Sequence, residues 1–216
     1  MILHAMYIPK HFEETSVEVM HELIRERPLA TIVTLTSLGL NANHIPLYLF
    51  KDSSHFGVLR GHVARANPMW TDVLDDVEVL VIFHGPDAYI SPSWYPTKEE
   101  TGKVVPTWNY AVVHAYGNLR AIDDPLWLRN QLEILTDHNE DQFSKRWSVS
   151  DAPHDYTEKL IEAVVGVEIL ITKLFGKWKV SQNQPPQNKE GVINGLENSE
   201  PPDPTSMAGL IKSLSM

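Results

Sequence analysis

Apolar residues along this chain recur with two different periods, and the changes between them outline its elements. Val17, Met20, Leu23 and Ile24 return at helical spacing behind a capping box at Thr15-Ser-Val-Glu18 and ahead of Pro28, which predicts a first helix. Residues 30–36 are rich in β-branched side chains, Ser37-Leu-Gly39 reads as a turn, and residues 40–50 return as a second strand, so a hairpin is expected. Phe56, Val58 and Leu59 predict a short strand that passes through Gly61 into a helix starting near His62 to Ala64 and stopping at Asn67-Pro68.

Farther on, Val77 to Phe83 is the most strand-like run, Gly85-Pro-Asp87 a turn, and Ala88 to Tyr95 an extended segment restricted by Pro92 and Pro96. Thr97 to Lys103 is polar and expected to be a mobile loop, followed by one long bent strand from Val105 to Arg120 with Gly117 as a bulge. Asp123-Asp124-Pro125 opens a helix whose apolar face is Leu126, Leu128, Leu132 and Leu135, through about Asn139. A connector at 147–153, a helix from Tyr156 to Val165 ended by Gly166, and a last strand from Val167 to Phe175 complete the regular pattern. Gly176 to Asn183 is expected to leave the sheet. Short helical pieces follow near 189–197 and 207–214, on either side of a Pro201-Pro-Asp-Pro204 linker.

Six or seven strands in hairpin order with helices between them predict a mainly β fold with α additions: a mostly antiparallel barrel rather than an alternating βαβ protein. Two regions are expected, a barrel domain over 1–183 with inserted helices and a C-terminal tail over 184–216. The G-x-G-x-x-G, G-x-x-x-x-G-K-[ST] and G-x-S-x-G signatures are absent, so the common nucleotide and hydrolase folds are not indicated.

Composition narrows the function classes. With no cysteine, the 216 residues hold no disulfide, no thiolate nucleophile and no cysteine-ligated metal. No cationic leader and no apolar stretch near the length of a membrane span is visible, and a cytoplasmic protein is expected. The net charge of -10, from 18 Lys and Arg against 28 Asp and Glu, disfavours direct DNA binding, and no second basic helix follows a first to make a helix-turn-helix. The histidines lack H-x-x-x-H or H-E-x-x-H spacing, so no metal centre is expected.

The stretch from His55 to Trp70 is the first candidate site. A helix start leaves amide donors unpaired and carries partial positive charge, and Arg60, His62 and Arg65 add side-chain donors suited to a phosphate. Two arginines and a histidine beside a turn also describe an ordinary solvated surface.

Six blocks of the chain in one order carry a resemblance: Met6 to Phe12, Gly39 to Pro46, Leu59 to Pro68, Gly85 to Tyr95, Val104 to Tyr110 and Gly176 to Asn183. The chain resembles the PaiB family of FMN-binding negative transcriptional regulators over roughly Met6 to Glu197. That resemblance implies a split β-barrel of the flavin-binding type, a homodimer with FMN held non-covalently between subunits, and a repressor role. It places the FMN phosphate at Arg60, His62, Arg65 and Asn67. Trp108, Asn109 and Tyr110 are candidates to meet the flavin ring, or else form a core or dimer patch. Trp178, Lys179, Ser181 and Gln182 are candidates to reach the flavin of a partner subunit, with a capped surface strand as the alternative. Asn43, His44 and Ser91 are candidates for the substrate side, although His44 also suits a structural hydrogen bond.

No residue stands out as an obligatory acid or base, so catalysis is open between weak flavin-dependent redox chemistry, redox sensing and none. The competing readings are a haem-binding or haem-degrading split barrel, and a regulator acting through protein partners without a cofactor.

Overall fold

The computed structural model describes residues 6–51, 54–74, 77–199 and 206–214; the expected linker at 201–204 lies outside them. A 3-10 turn at Lys10–Phe12 leads into β1 (Glu13–Glu14) and α1 (Val17–Glu26), whose first turn is capped by Ser16, its Oγ accepting from Val19 N. The hairpin β2 (Leu29–Thr36) and β3 (Gly39–Pro46) pairs in the expected register, Leu29 opposite Pro46 and Thr36 opposite Gly39, with Gly39 at φ 111 in the turn. Then come β4 (Tyr48–Phe50), β5 (Val58–Ala64), α2 (Met69–Asp72) and β6 (Val79–Ile90). A 3-10 turn at Pro92–Trp94 precedes α3 (Thr97–Thr101), β7 (Thr107–Ile122) and α4 (Pro125–Glu140), the last capped by Asp124, which accepts from Leu126 N and Trp127 N. After a 3-10 turn at Val149–Asp151 follow α5 (His154–Glu162), β8 (Val164–Lys179), α6 (Pro186–Glu197) and α7 (Met207–Ser213).

The strand order is β3-β2-β6-β7-β8-β5-β4, with β1 added to the end of β8, and the β1–β8, β2–β3, β2–β6, β4–β5 and β5–β8 pairings are antiparallel. Among the described residues no helix is long and apolar enough to cross a membrane.

Several expected elements change. The helix start at His62 to Ala64 is absent, because His62, Val63 and Ala64 pair with Gly166, Val165 and Val164 of β8. The amides that a helix start would have left unpaired belong to a strand engaged in this pairing. Asn67-Pro68 precedes a helix instead of ending one, with Asn67 Oδ1 accepting from Met69 N at 2.9 Å. Gly85-Pro-Asp87 does not turn the chain but lies inside the single strand β6, where a Cβ on Gly85 would fall 2.7 Å from Leu23 Cδ1. Residues 97–101 are helical, ended by Gly102 at φ 64. α5 ends at Glu162, and β8 then runs without interruption through Gly166 and Gly176 to Lys179. Gly117 lies within continuous β7, where a Cβ would sit 2.2 Å from Leu170 O; the glycine serves close strand approach.

The chain divides into two compact units. The first comprises Met1–Leu23, His84–Val113 and Phe175–Met216, the second Ile24–Phe83 and His114–Leu174. In the second unit the inward positions of the strands form the core, with Ile32, Leu59, Val63, Val81, Phe83, Val167 and Ile169 almost fully buried. In the first, Ile90, Tyr95, Val113, Trp178, Val192 and Leu196 are buried, and α6 joins them through two glycines: a Cβ on Gly191 would lie 2.0 Å from Trp94 O, and one on Gly195 2.3 Å from the Trp94 ring.

Candidate functional site

The first unit holds a cavity of about 430 Å³, within the size range of small-molecule sites. Alternation along β7 turns Thr107 and Asn109 toward it, while Trp108 and Tyr110 line a separate hollow with His84, Gly85 and Asp87. The three residues expected to act together at a flavin ring are therefore divided between two faces of one strand.

Lys179, at the end of β8, borders the cavity, its ammonium donating to Thr107 Oγ1 and to the Trp108 carbonyl. Burial, and secondarily the neighbouring Lys177 ammonium, holds its pKa below the usual lysine range. Lys177 points elsewhere: its Nζ donates to Tyr7 O at 3.0 Å and lies 5.2 Å from the Tyr110 ring centroid. Just past the strand, Ser181 stands in the left-handed region at φ 65, a conformation that costs a non-glycine residue about 1–2 kcal/mol. Its hydroxyl accepts from Asn109 Nδ2 at 2.9 Å. Both side chains are buried, Asn109 at 1% exposure and Ser181 at 4%. Strain of this kind persists where the surroundings hold it in place, and it concentrates at ligand sites.

The far wall comes from the C-terminal segment. Asn188 of α6, 3% exposed, accepts from Thr97 Oγ1 at 3.1 Å and donates to Gln184 Oε1 at 3.0 Å. Lys103 completes the border, and no carboxylate among the described residues lines the cavity. Two ammonium groups, three buried amide or hydroxyl side chains and the apolar surfaces of Tyr95, Val104 and Val105 form a donor set for an anion joined to an apolar body. That is the chemistry of a phosphoester of a heterocycle, so the residues present fit FMN.

The remaining expected residues are differently occupied. Trp178 is buried away from the cavity lining, and Gln182 folds back on its own turn, Nε2 donating to Trp178 O and Oε1 accepting from Val180 N. Ser91 caps the Pro92–Trp94 turn through Ser93 N at 3.2 Å. In the second unit, Arg65 spends its guanidinium on the structure. It makes a bidentate pair with Asp123 at 2.9 and 2.7 Å, and donates to Glu162 O and Val164 O. Arg60 donates to Glu168 at 2.8 Å, its cross-strand neighbour on β8, and lies 4.3 Å from the Phe50 centroid; Arg120 binds the other oxygen of the same carboxylate. His62 Nδ1 is 3.1 Å from Gln131 Oε1. Asn67 donates to Asn43 Oδ1 at 2.8 Å, and His44 Nδ1 is 3.0 Å from Thr31 Oγ1. The expected phosphate corner is thus a set of cross-links between β5, β3, α4, α5 and β8.

Sequence reasoning missed Thr107, Lys103 and Asn188. The period-two alternation with Asn109 was a signal for Thr107. Nothing local marked Asn188, which lies in the segment expected to be a tail.

Comparison with known proteins identifies the family and the fold. A family model described as "Putative FMN-binding domain" matches residues 6–173. The Bacillus subtilis protein named Protease synthase and sporulation protein PAI 2 is 33% identical over 207 residues, covering 96% of this chain and 97% of its own. A protein of Emericella nidulans is 36% identical over 228 residues, 89% of this chain and 91% of that one. Among solved structures, the FAD and heme binding protein from Mycobacterium smegmatis superposes with a TM-score of 0.56 at 16% identity, over 77% of this chain and 73% of its own. The conserved protein Rv2991 from Mycobacterium tuberculosis does so with 0.58 at 10% identity, over 83% and 94%. At these identities the structural likeness establishes the fold, a mainly antiparallel split barrel with flanking helices.

Proposed function

Because this chain belongs to the FMN-binding family that includes the Bacillus subtilis PAI 2 protein, and FMN is the cofactor of that family, we propose that it holds FMN non-covalently in the cavity of the first unit and acts as a flavin-dependent regulator. The carrying observation is the carboxylate-free, lysine-bearing pocket built around strained Ser181. Lys179 and Lys103 meet the phosphate charge, the buried Asn109–Ser181 hydrogen bond fixes the wall beside it, and Asn188 braces the far wall. When bound, FMN supplies hydride and single-electron chemistry. The chain's own contribution is placement, an apolar wall from buried Tyr95, and a positive field on one side of the ligand.

The working form in this reading is a homodimer. Large apolar side chains stand in water on both units, Leu38 at 96% exposure and Leu40 on the β2–β3 hairpin, Trp108 at 56% and Tyr89 on the first unit, which is the composition of a surface that a second copy covers. Regulation proceeds through a protein partner or a metabolic signal, since the charge of -10 opposes contact with an operator.

The experiment is direct. The purified protein is expected to be yellow or to become so on adding FMN, to release FMN on denaturation, and to sediment as a dimer. A colourless protein that shows no saturable quenching of FMN fluorescence overturns the reading. Specific retention of operator DNA at physiological salt overturns the route of regulation alone.

A further inference from the structure

The second unit has an opening of its own, unrelated in chemistry to the first. It is a groove of about 460 Å³ walled by α4, α5 and the turn between them, including Leu132, Val149 and Leu160, with Trp147 and Tyr156 half exposed at its sides. No charged side chain lines it. Such a space has no means of holding a phosphate, and its aromatic walls favour a flat apolar body.

Among the lining groups is His62. Its Nδ1 faces Gln131 Oε1, and with the carboxamide in this orientation the neutral ring carries its proton on Nδ1 and presents Nε2 as an acceptor. Nε2 has no partner among the described residues. Burial favours this neutral state by holding the imidazole below its ordinary pKa. Behind it, Gln131 is 2% exposed and its Nε2 is buried without a partner, so the pair is not arranged for the fullest hydrogen bonding within the protein. The slot is mostly apolar, with the hydroxyls of Thr136, Thr157 and Tyr156 also on its lining, and the oriented acceptor of His62 is complementary to a ligand with a donor.

We propose that this groove binds an uncharged, flat ring compound carrying a single N–H or O–H group, which donates to His62 Nε2. The site is separate from the FMN cavity and does not depend on that reading. It adds a second ligand class, a small neutral aromatic, as substrate or effector.

The test compares 2-naphthol with 2-methoxynaphthalene, which has the same ring without the donor, by titration calorimetry on the full-length protein. Saturable binding of naphthol at least about tenfold tighter than the ether is expected, as for a site built to accept one hydrogen bond. His62→Phe is expected to bring the two affinities together, whereas Lys179→Met leaves them apart. Saturating FMN is expected to leave the naphthol titration unchanged. Equal affinity of the two probes for the unaltered protein, no binding of either, or displacement of naphthol by FMN overturns the proposal, and none of these outcomes requires a variant to fold. Nitrogen NMR of His62 gives an independent reading: a proton on Nε2 in the free protein overturns it as well.

Discussion

Each of the two units gathers basic residues at one place, Arg60 to Arg65 in the second and the Lys179 cavity in the first, and the two places treat them in opposite ways. In the second unit each arginine of the Arg60–Arg65 stretch meets a carboxylate: Arg65 is clamped by Asp123, and Arg60 shares Glu168 with Arg120. In the first unit Lys179 and Lys103 border a cavity that no carboxylate among the described residues lines, and the Lys179 ammonium donates to two neutral oxygens, Thr107 Oγ1 and the Trp108 carbonyl. A cation answered by a carboxylate holds elements together, and one left unanswered beside a cavity is available to an anion. Counting charges along the sequence does not separate the two cases.

Removing the lysine head group should have the largest effect on binding. Lys179→Met is expected to weaken FMN by about 10- to 100-fold, corresponding to the ~1.5–3 kcal/mol of a charge-assisted hydrogen bond, and to flatten the salt dependence of binding. Unchanged affinity in fluorescence titration would move the phosphate out of the first unit.

A smaller effect is expected from Ser181, where hydrogen bonding and strain can be separated. Ser181→Ala leaves Asn109 Nδ2 buried without its acceptor while keeping the left-handed backbone, and should cost ~1–3 kcal/mol in urea unfolding. Ser181→Gly loses the same bond but also the Cβ that strains the left-handed backbone, and should be more stable than the alanine variant by ~1 kcal/mol. Equal stabilities would mean that the strain is not energetic.

His62 makes the second unit sensitive to mild acid. Its folded pKa lies below the ordinary 6.5 because burial disfavours the charged ring. The unfolded chain therefore takes up a proton that the folded chain refuses, so the contribution of this group is complete above pH 6.5 and drains away as the pH falls below it. Urea midpoints at about pH 7.5 and 5.5 should show this loss, and His62→Gln should reduce the slope. A slope unaltered in the variant would assign the effect to another histidine.

The smallest effect on ligand is expected from Arg65. Its four hydrogen bonds are all made to the protein itself, so Arg65→Ala should lower the melting temperature slightly and leave FMN affinity within about twofold, the scatter of ordinary surface changes. A loss of affinity as large as that of Lys179→Met would erase the contrast between the units.

Local patterning determined a good deal by itself. The periodicity of α1, the Asp124-Pro125 start of α4, the β2–β3 hairpin and the antiparallel, mainly β character follow from side-chain spacing and turn chemistry, because these depend on neighbours within a few residues. Residues 176–183 were marked as a site candidate by their polar and aromatic content, and Lys179 and Ser181 of that segment do border the cavity. What only the tertiary structure decided is which polar groups are already satisfied. His62 to Ala64 read as a helix start until β8 paired with them, and Arg65 read as an uncommitted donor until Asp123, 58 positions away, took its fork. Trp108, Asn109 and Tyr110 read as one cluster until the pleat separated them, and Asn188 had no role until two glycines let α6 settle on Trp94. Hydrogen-bond satisfaction depends on partners far apart in the chain, and that is information that spacing along a sequence does not carry.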